Sequence, residues 1–156
     1  MKRLFTMFIT IAMMGLVLTG CGGSGSKEIT AEPAKLAEDL AGTASGDTLS
    51  AVSQEILAST YLVDTAKIED SAAYLGTGAT ACEAVVIKCT DTDYPAEVKK
   101  LFETRVSNQS ELYASYNADE VKNLDNAIIK TSGSYAVLCV TNDTESAEKI
   151  LKEAGF

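Results

Sequence analysis

The feature that most constrains the fold is a change of hydrophobic period at about Asp70. Upstream, apolar residues recur at helical spacing. Downstream, two pairs of short apolar runs flank one long helical stripe. Ser71 to Gly76 and Cys82 to Thr90 stand on either side of a Gly-Thr-Gly loop at 76–78, as the arms of a β-hairpin would. Asn126 to Thr131 and Tyr135 to Thr141 do the same around Ser132-Gly133-Ser134. Between the hairpins, Val98, Leu101, Phe102, Val106, Gln109, Leu112, Tyr113 and Tyr116 mark a helix from about Tyr94 to Tyr116, with Asp93 as its cap.

The flanks complete the order. A first helix is expected over 31–41, with Thr30 as cap, Pro33 in the first turn and Leu36, Ala37 and Leu40 as its apolar stripe. A second covers about Ser53 to Leu62, followed by a short turn from Asp64, and a last one runs from about Glu145 to Ala154, capped by Asp143 or Thr144. The fold class is therefore α+β, in the order α-α-β-β-α-β-β-α, with a four-stranded antiparallel sheet and the two later helices on one face. An offset of 51 residues aligns Val86 with Val137, Thr90 with Thr141 and Glu97 with Glu148, which suggests duplicated β-β-α units. Val85, Ile87 and Cys89 would then share the helix-facing side with Ala136, Leu138 and Val140.

The N-terminus reads as an address. Lys2 and Arg3 precede an uncharged apolar run from Leu4 to Leu18, shorter than the roughly 20 residues that span a bilayer as a helix. The run ends in Leu18-Thr19-Gly20-Cys21, the pattern of a bacterial lipobox, in which small residues admit the signal peptidase and the thiol accepts diacylglycerol. Residues 1–20 are thus expected to be a lipoprotein signal peptide, 21–30 a lipidated Cys with a Gly/Ser tether, and 31–156 a single domain. Removal of 1–20 takes away two positive charges and no negative ones from a chain already at −9. So acidic a surface does not suit nucleic acid or anionic lipid; two acyl chains on Cys21 would hold the protein to the extracytoplasmic face of the cell membrane.

The chain has no His, which removes imidazole-dependent hydrolysis and His-ligated zinc or haem. Cys82, Cys89 and Cys139 lack zinc-ligand spacing and read as small buried hydrophobes. Cys89 and Cys139 fall on opposite faces of the sheet, which leaves Cys82 with Cys139 as the one pair a disulfide could join. Asp91-Thr92-Asp93 and Asn142-Asp143-Thr144 lack the Gly and Glu of a calcium loop and suit helix capping, so no metal is expected. Ser146-Ala147-Glu148-Lys149 has Ser-x-x-Lys spacing, but it follows Lys130-Thr131-Ser132 where a serine-lysine enzyme would need it first. Glu83, Arg105 and Gln109 form the best polar cluster, with an ion pair as its simplest role, and Tyr113, Tyr116 and Tyr135 are candidates for an aromatic patch.

Gly78-Ala79-Thr80-Ala81-Cys82-Glu83, Arg105 with Gln109, Tyr116, Leu124 with Asn126, and Gly133 with Tyr135 resemble the pattern of a family of small lipoproteins from low-GC Gram-positive bacteria, the domain-of-unknown-function family 4358. Family members usually carry a polar residue where Cys82 stands, which makes that thiol incidental. The resemblance implies a lipid-anchored, single-domain envelope protein and brings no catalytic residue or cofactor. The expectation is a non-enzymatic binding or accessory protein with an envelope protein as partner. The alternatives are a small-ligand binder and an envelope enzyme working through two carboxylates.

Overall fold

The computed structural model describes residues 29–156. In chain order the elements are α1 (Pro33–Ala41), β1 (Ser50–Ala51), α2 (Gln54–Tyr61), β2 (Ile68–Leu75), β3 (Glu83–Cys89), α3 (Pro95–Ala114), α4 (Ala118–Asp125), β4 (Ile128–Ser132), β5 (Tyr135–Val140) and α5 (Thr144–Ala154). A 3-10 turn at Thr65–Lys67, capped by Asp64, leads into β2. The α+β class holds, but the sheet has five strands, all antiparallel, in the order β1-β2-β3-β5-β4. The fifth strand is β1, two exposed residues too short to show a period.

The central pair, β3 and β5, is apolar on both faces because helices cover both. Val85, Ile87 and Cys89 lie with Ala136, Leu138 and Val140 under Leu57 and Tyr61 of α2, Phe102 of α3 and Leu124 of α4. The opposite side chains, among them Ala84, Val86, Val137 and Cys139, meet Leu36 and Leu40 of α1 and Ala147 and Leu151 of α5. The expected residue faces are therefore correct, whereas the placing of the two later helices on one face is not. α3 and α5 lie on opposite sides of the sheet. The duplication stops at the strands: Val86 pairs directly with Val137, but the helices that follow leave in opposite directions.

Several ends differ from expectation for local reasons. Ile29 is only 8% exposed and packs into the α1–α5 core, so the tether expected over 21–30 ends before it. Glu32, without a side-chain cap, precedes α1 in place of Thr30. At α3 the loop carboxylate is Asp91, not Asp93: it accepts the amide N–H groups of Asp93 at 2.9 Å and Tyr94 at 2.8 Å. Those bonds hold the Asp91 carboxyl below its usual range. Asp143 caps α5 by accepting the Ser146 N–H at 3.0 Å. α4 is an unanticipated helix, with Leu124 as its buried residue.

Candidate functional site

Glu83 opens β3, a strand buried along almost its whole length, and its side chain is 4% exposed. A carboxylate taken out of water at such a position needs partners. It has two. From α3, Arg105 donates through Nε at 3.0 Å and Nη2 at 2.8 Å to Oε2, and through Nε at 3.2 Å to Oε1. From α2, the Tyr61 hydroxyl donates to Oε2 at 2.9 Å. The guanidinium also lies 5.2 Å from the Tyr61 ring centroid, and that ring meets Phe102 edge-on at 5.6 Å. Burial works against the Arg105 charge, but Glu83 outweighs it and raises the guanidinium further. Burial first, and then the Glu83 charge, push the Tyr61 phenol well above 10. The cluster is self-satisfied, and it locks α2 and α3 onto β3.

The expected grouping of Glu83 with Arg105 is correct. Gln109 lies nearby, one turn along α3, and with them lines a cavity of about 120 Å³ that also touches Cys82 and Tyr113. The cavity is roofed by the loop from Gly76 to Ala81, which three elements hold down. The Tyr113 hydroxyl donates to the carbonyl oxygens of Thr80 and Gly78. Glu120 of α4 accepts the Ala81 N–H at 2.9 Å. Asp47 accepts both the N–H and the hydroxyl of Thr77 at 2.9 Å. A Cβ at Gly76 would fall 2.5 Å from an Asp47 carboxylate oxygen, so any larger residue there would push that carboxylate aside. Burial opposes the Asp47 charge, yet the bonds from Thr77 and Thr48 prevail and hold its carboxyl below the usual 3.8.

The expected aromatic patch divides. Tyr113 and Tyr116 adjoin at the end of α3, ring centroids 4.9 Å apart, with Tyr116 exposed. Tyr135 lies across the sheet in the α1–α5 core, donates to the Ala31 carbonyl at 3.1 Å and meets Phe156 edge-on. It belongs to the other face because β5 turns alternate side chains to opposite helical layers.

Cys82, Cys89 and Cys139 are all buried and free. Ala84 stands opposite Cys139 in the register, which puts Cys82 diagonally across from it on the same face, and no disulfide joins them. Burial raises the Cys89 thiol to about 11 and Cys139 to about 12, the reverse of what a nucleophilic thiolate needs. Lys130 pairs with Glu148, which occupies its ammonium. Among the described residues no cluster of acidic residues and cysteines has metal-site geometry, and no helix is long and apolar enough to cross a membrane. Cys21 lies outside the described residues.

Tyr61 and Asp47 were missed at the sequence level. Tyr61 falls on the apolar stripe of α2 with Leu57, where a buried tyrosine signals a hydroxyl in need of a partner. Asp47 carries no such signal, since Thr77, which it ties into the roof loop, lies 30 residues away. No curated protein and no solved structure matches the chain. The family model described as "Domain of unknown function (DUF4358)" matches residues 43–141, a span that takes in Asp47, the roof loop, Glu83, Arg105 and Gln109, and the chain belongs to that family.

Proposed function

We propose that the protein is a lipoprotein anchored through Cys21 at the extracytoplasmic face of a Gram-positive cell membrane, where it binds another envelope protein and catalyses nothing itself. The observation that carries this reading is the sequence Leu18-Thr19-Gly20-Cys21 behind a basic, then apolar, leader and before a Gly/Ser run. The polar cluster is consistent with binding or support in place of turnover. Its one carboxylate, Glu83, is saturated by Arg105 and Tyr61, and hydrolysis by paired acids needs a second carboxylate across a water-sized gap. The cavity of about 120 Å³ beside the cluster is also well below the several hundred Å³ of an ordinary small-molecule site, which weighs against a small ligand at Glu83.

The test is crosslinking in cells with the lipidated full chain as bait and Cys21→Ala as control. One stoichiometric membrane or wall protein, lost in the control, is the expected result. A Cys21→Ala chain that still partitions with membranes in equal yield overturns the anchor. Recovery of bare monomer overturns the partner.

A further inference from the structure

The sheet ends at β4, and β4 is bonded on one side only. The two-residue turn at Gly133-Ser134 makes Ser132 and Tyr135 a hydrogen-bonded pair, so Lys130 with Val137 and Ile128 with Cys139 are the next such pairs. The neighbouring ladder has the matching phase, since the Cys89 N–H donates to the Ser134 carbonyl at 2.8 Å. The backbone N–H and C=O groups of Ile129 and Thr131 therefore point away from β5, and among the described residues no protein group bonds them. Open grooves run along both sides of this edge. On the α3–α4 side a groove of about 430 Å³ has Val106, Leu124, Ala127 and Ile129 as its floor and Glu103 and Asp125 at its rim. On the α5 side a groove of about 380 Å³ is lined by Ile128, Lys130, Thr144 and Glu148.

We propose that the β4 edge is a strand-addition site for an extended segment of another protein, with aliphatic side chains at alternate positions and basic residues beside them. This deepens the binding reading above and rests on it. An added strand would pair with the outward groups of Ile129 and Thr131 and place alternate side chains in the two grooves, the division of labour by which backbone bonds give affinity and pockets give specificity. Charge selects the occupant. Glu103 is met only by Lys99 at 3.9 Å, Asp125 has no ion-pair partner among the described residues, and the chain as a whole stands at −9. A second copy would bring the same acidic rim and net charge to the edge; a basic segment neutralises both.

The probe is a short synthetic peptide alternating Val and Thr with Lys at both ends, compared with a twin ending in Glu, each titrated into the purified full chain. The Lys-ended peptide is expected to bind at least about tenfold more tightly. Thr131→Pro removes one outward N–H without touching the β5 ladder, and should weaken binding by about tenfold or more while leaving thermal unfolding unchanged. Should that variant fail to fold, the double substitution Glu103→Lys with Asp125→Lys serves instead and is expected to reverse the preference between the two peptides. Equal binding by a folded Thr131→Pro, no preference between the peptides, or no binding at all overturns the proposal. So does a dimer of the full chain that Thr131→Pro splits, which would give the edge to a second copy. A crosslinked partner that survives Thr131→Pro defeats the edge while leaving the binding reading intact; loss of any partner from the unmodified bait defeats that reading itself.

Discussion

At the β2 edge of the sheet the outward carbonyl of Ala73 receives the Val52 N–H at 3.0 Å, and that of Ser71 receives the Gln54 side-chain amide at 2.6 Å. The Ser71 hydroxyl returns a bond to Gln54 at 2.6 Å, so one side chain does the work of a missing strand. At the β4 edge the corresponding groups of Ile129 and Thr131 are left to solvent. Proteins protect sheet edges because unpaired strands recruit others. Here one edge is covered by β1 and the start of α2, while the other has only its shortness and the charged Lys130 in its favour. The cover also depends on a distant contact: α2 is held at one end by Gln54 and at the other by Tyr61 on Glu83. The buried ion pair thus lies behind the closed edge, and among the described residues the open edge has only the exposed pair of Lys130 with Glu148.

That contrast can be broken from its strongest point. Glu83→Ala leaves the Arg105 guanidinium and the Tyr61 hydroxyl without their acceptor, and should destabilise the fold by about 3–5 kcal/mol, read as a lowered denaturant midpoint. Faster amide exchange is expected in β2 as α2 loosens, and unchanged exchange there would mean that α2 docks without the cluster. Gln54→Ala removes two hydrogen bonds and leaves a buried serine hydroxyl, a loss of about 1–2 kcal/mol confined to the same edge.

Asp47 sharpens the comparison through pH. Its folded value lies below 3.8, so its contribution is complete above about pH 4 and is lost as pH falls through the lower, folded value. Thermal midpoints followed downward from pH 6 should therefore fall more steeply for the natural chain than for Asp47→Asn, and parallel curves would remove Asp47 as a restraint on the roof loop. The smallest effect belongs to the open edge. Thr131→Pro should change stability by less than about 0.5 kcal/mol, whereas Lys130→Pro, one residue away, breaks a ladder bond and should cost more. Equal losses at 130 and 131 would show that the ladder phase is misassigned.

What could be read in the sequence was whatever depends on near neighbours. The two-residue period through Val85, Val86 and Ile87 tells which side chains share a face, and Glu83 at the mouth of an apolar strand signals a carboxylate in need of a partner, a role that Arg105 on the long helix can fill. Which helix covers which face was not legible, because α3 and α5 each have one apolar stripe and either face of an apolar sheet accepts it. α4 was hidden in a half-charged run, Ala118 to Asp125, where Leu124 alone is buried. The open edge was hidden for a different reason. Strand order is set by which hairpin lies beside which, and Lys130 and Thr131 mark β4 as less buried than β3 or β5 without saying which of its sides stays unpaired.

The packing of Ile29 has a bearing on height above the bilayer. If Cys21 carries the lipid, the chain from Cys21 to Ile29 can reach no more than about 28 Å even when fully drawn out. The mooring point is also fixed in place: the Tyr135 hydroxyl holds the Ala31 carbonyl, and Tyr135 is the hairpin partner of Ser132 at the end of β4. A lipid on Cys21 would therefore draw the Ile29 end of the domain toward the membrane. A protein tied in this way would search a thin layer next to the lipid headgroups, and the segments it meets most often would be those leaving the membrane close by.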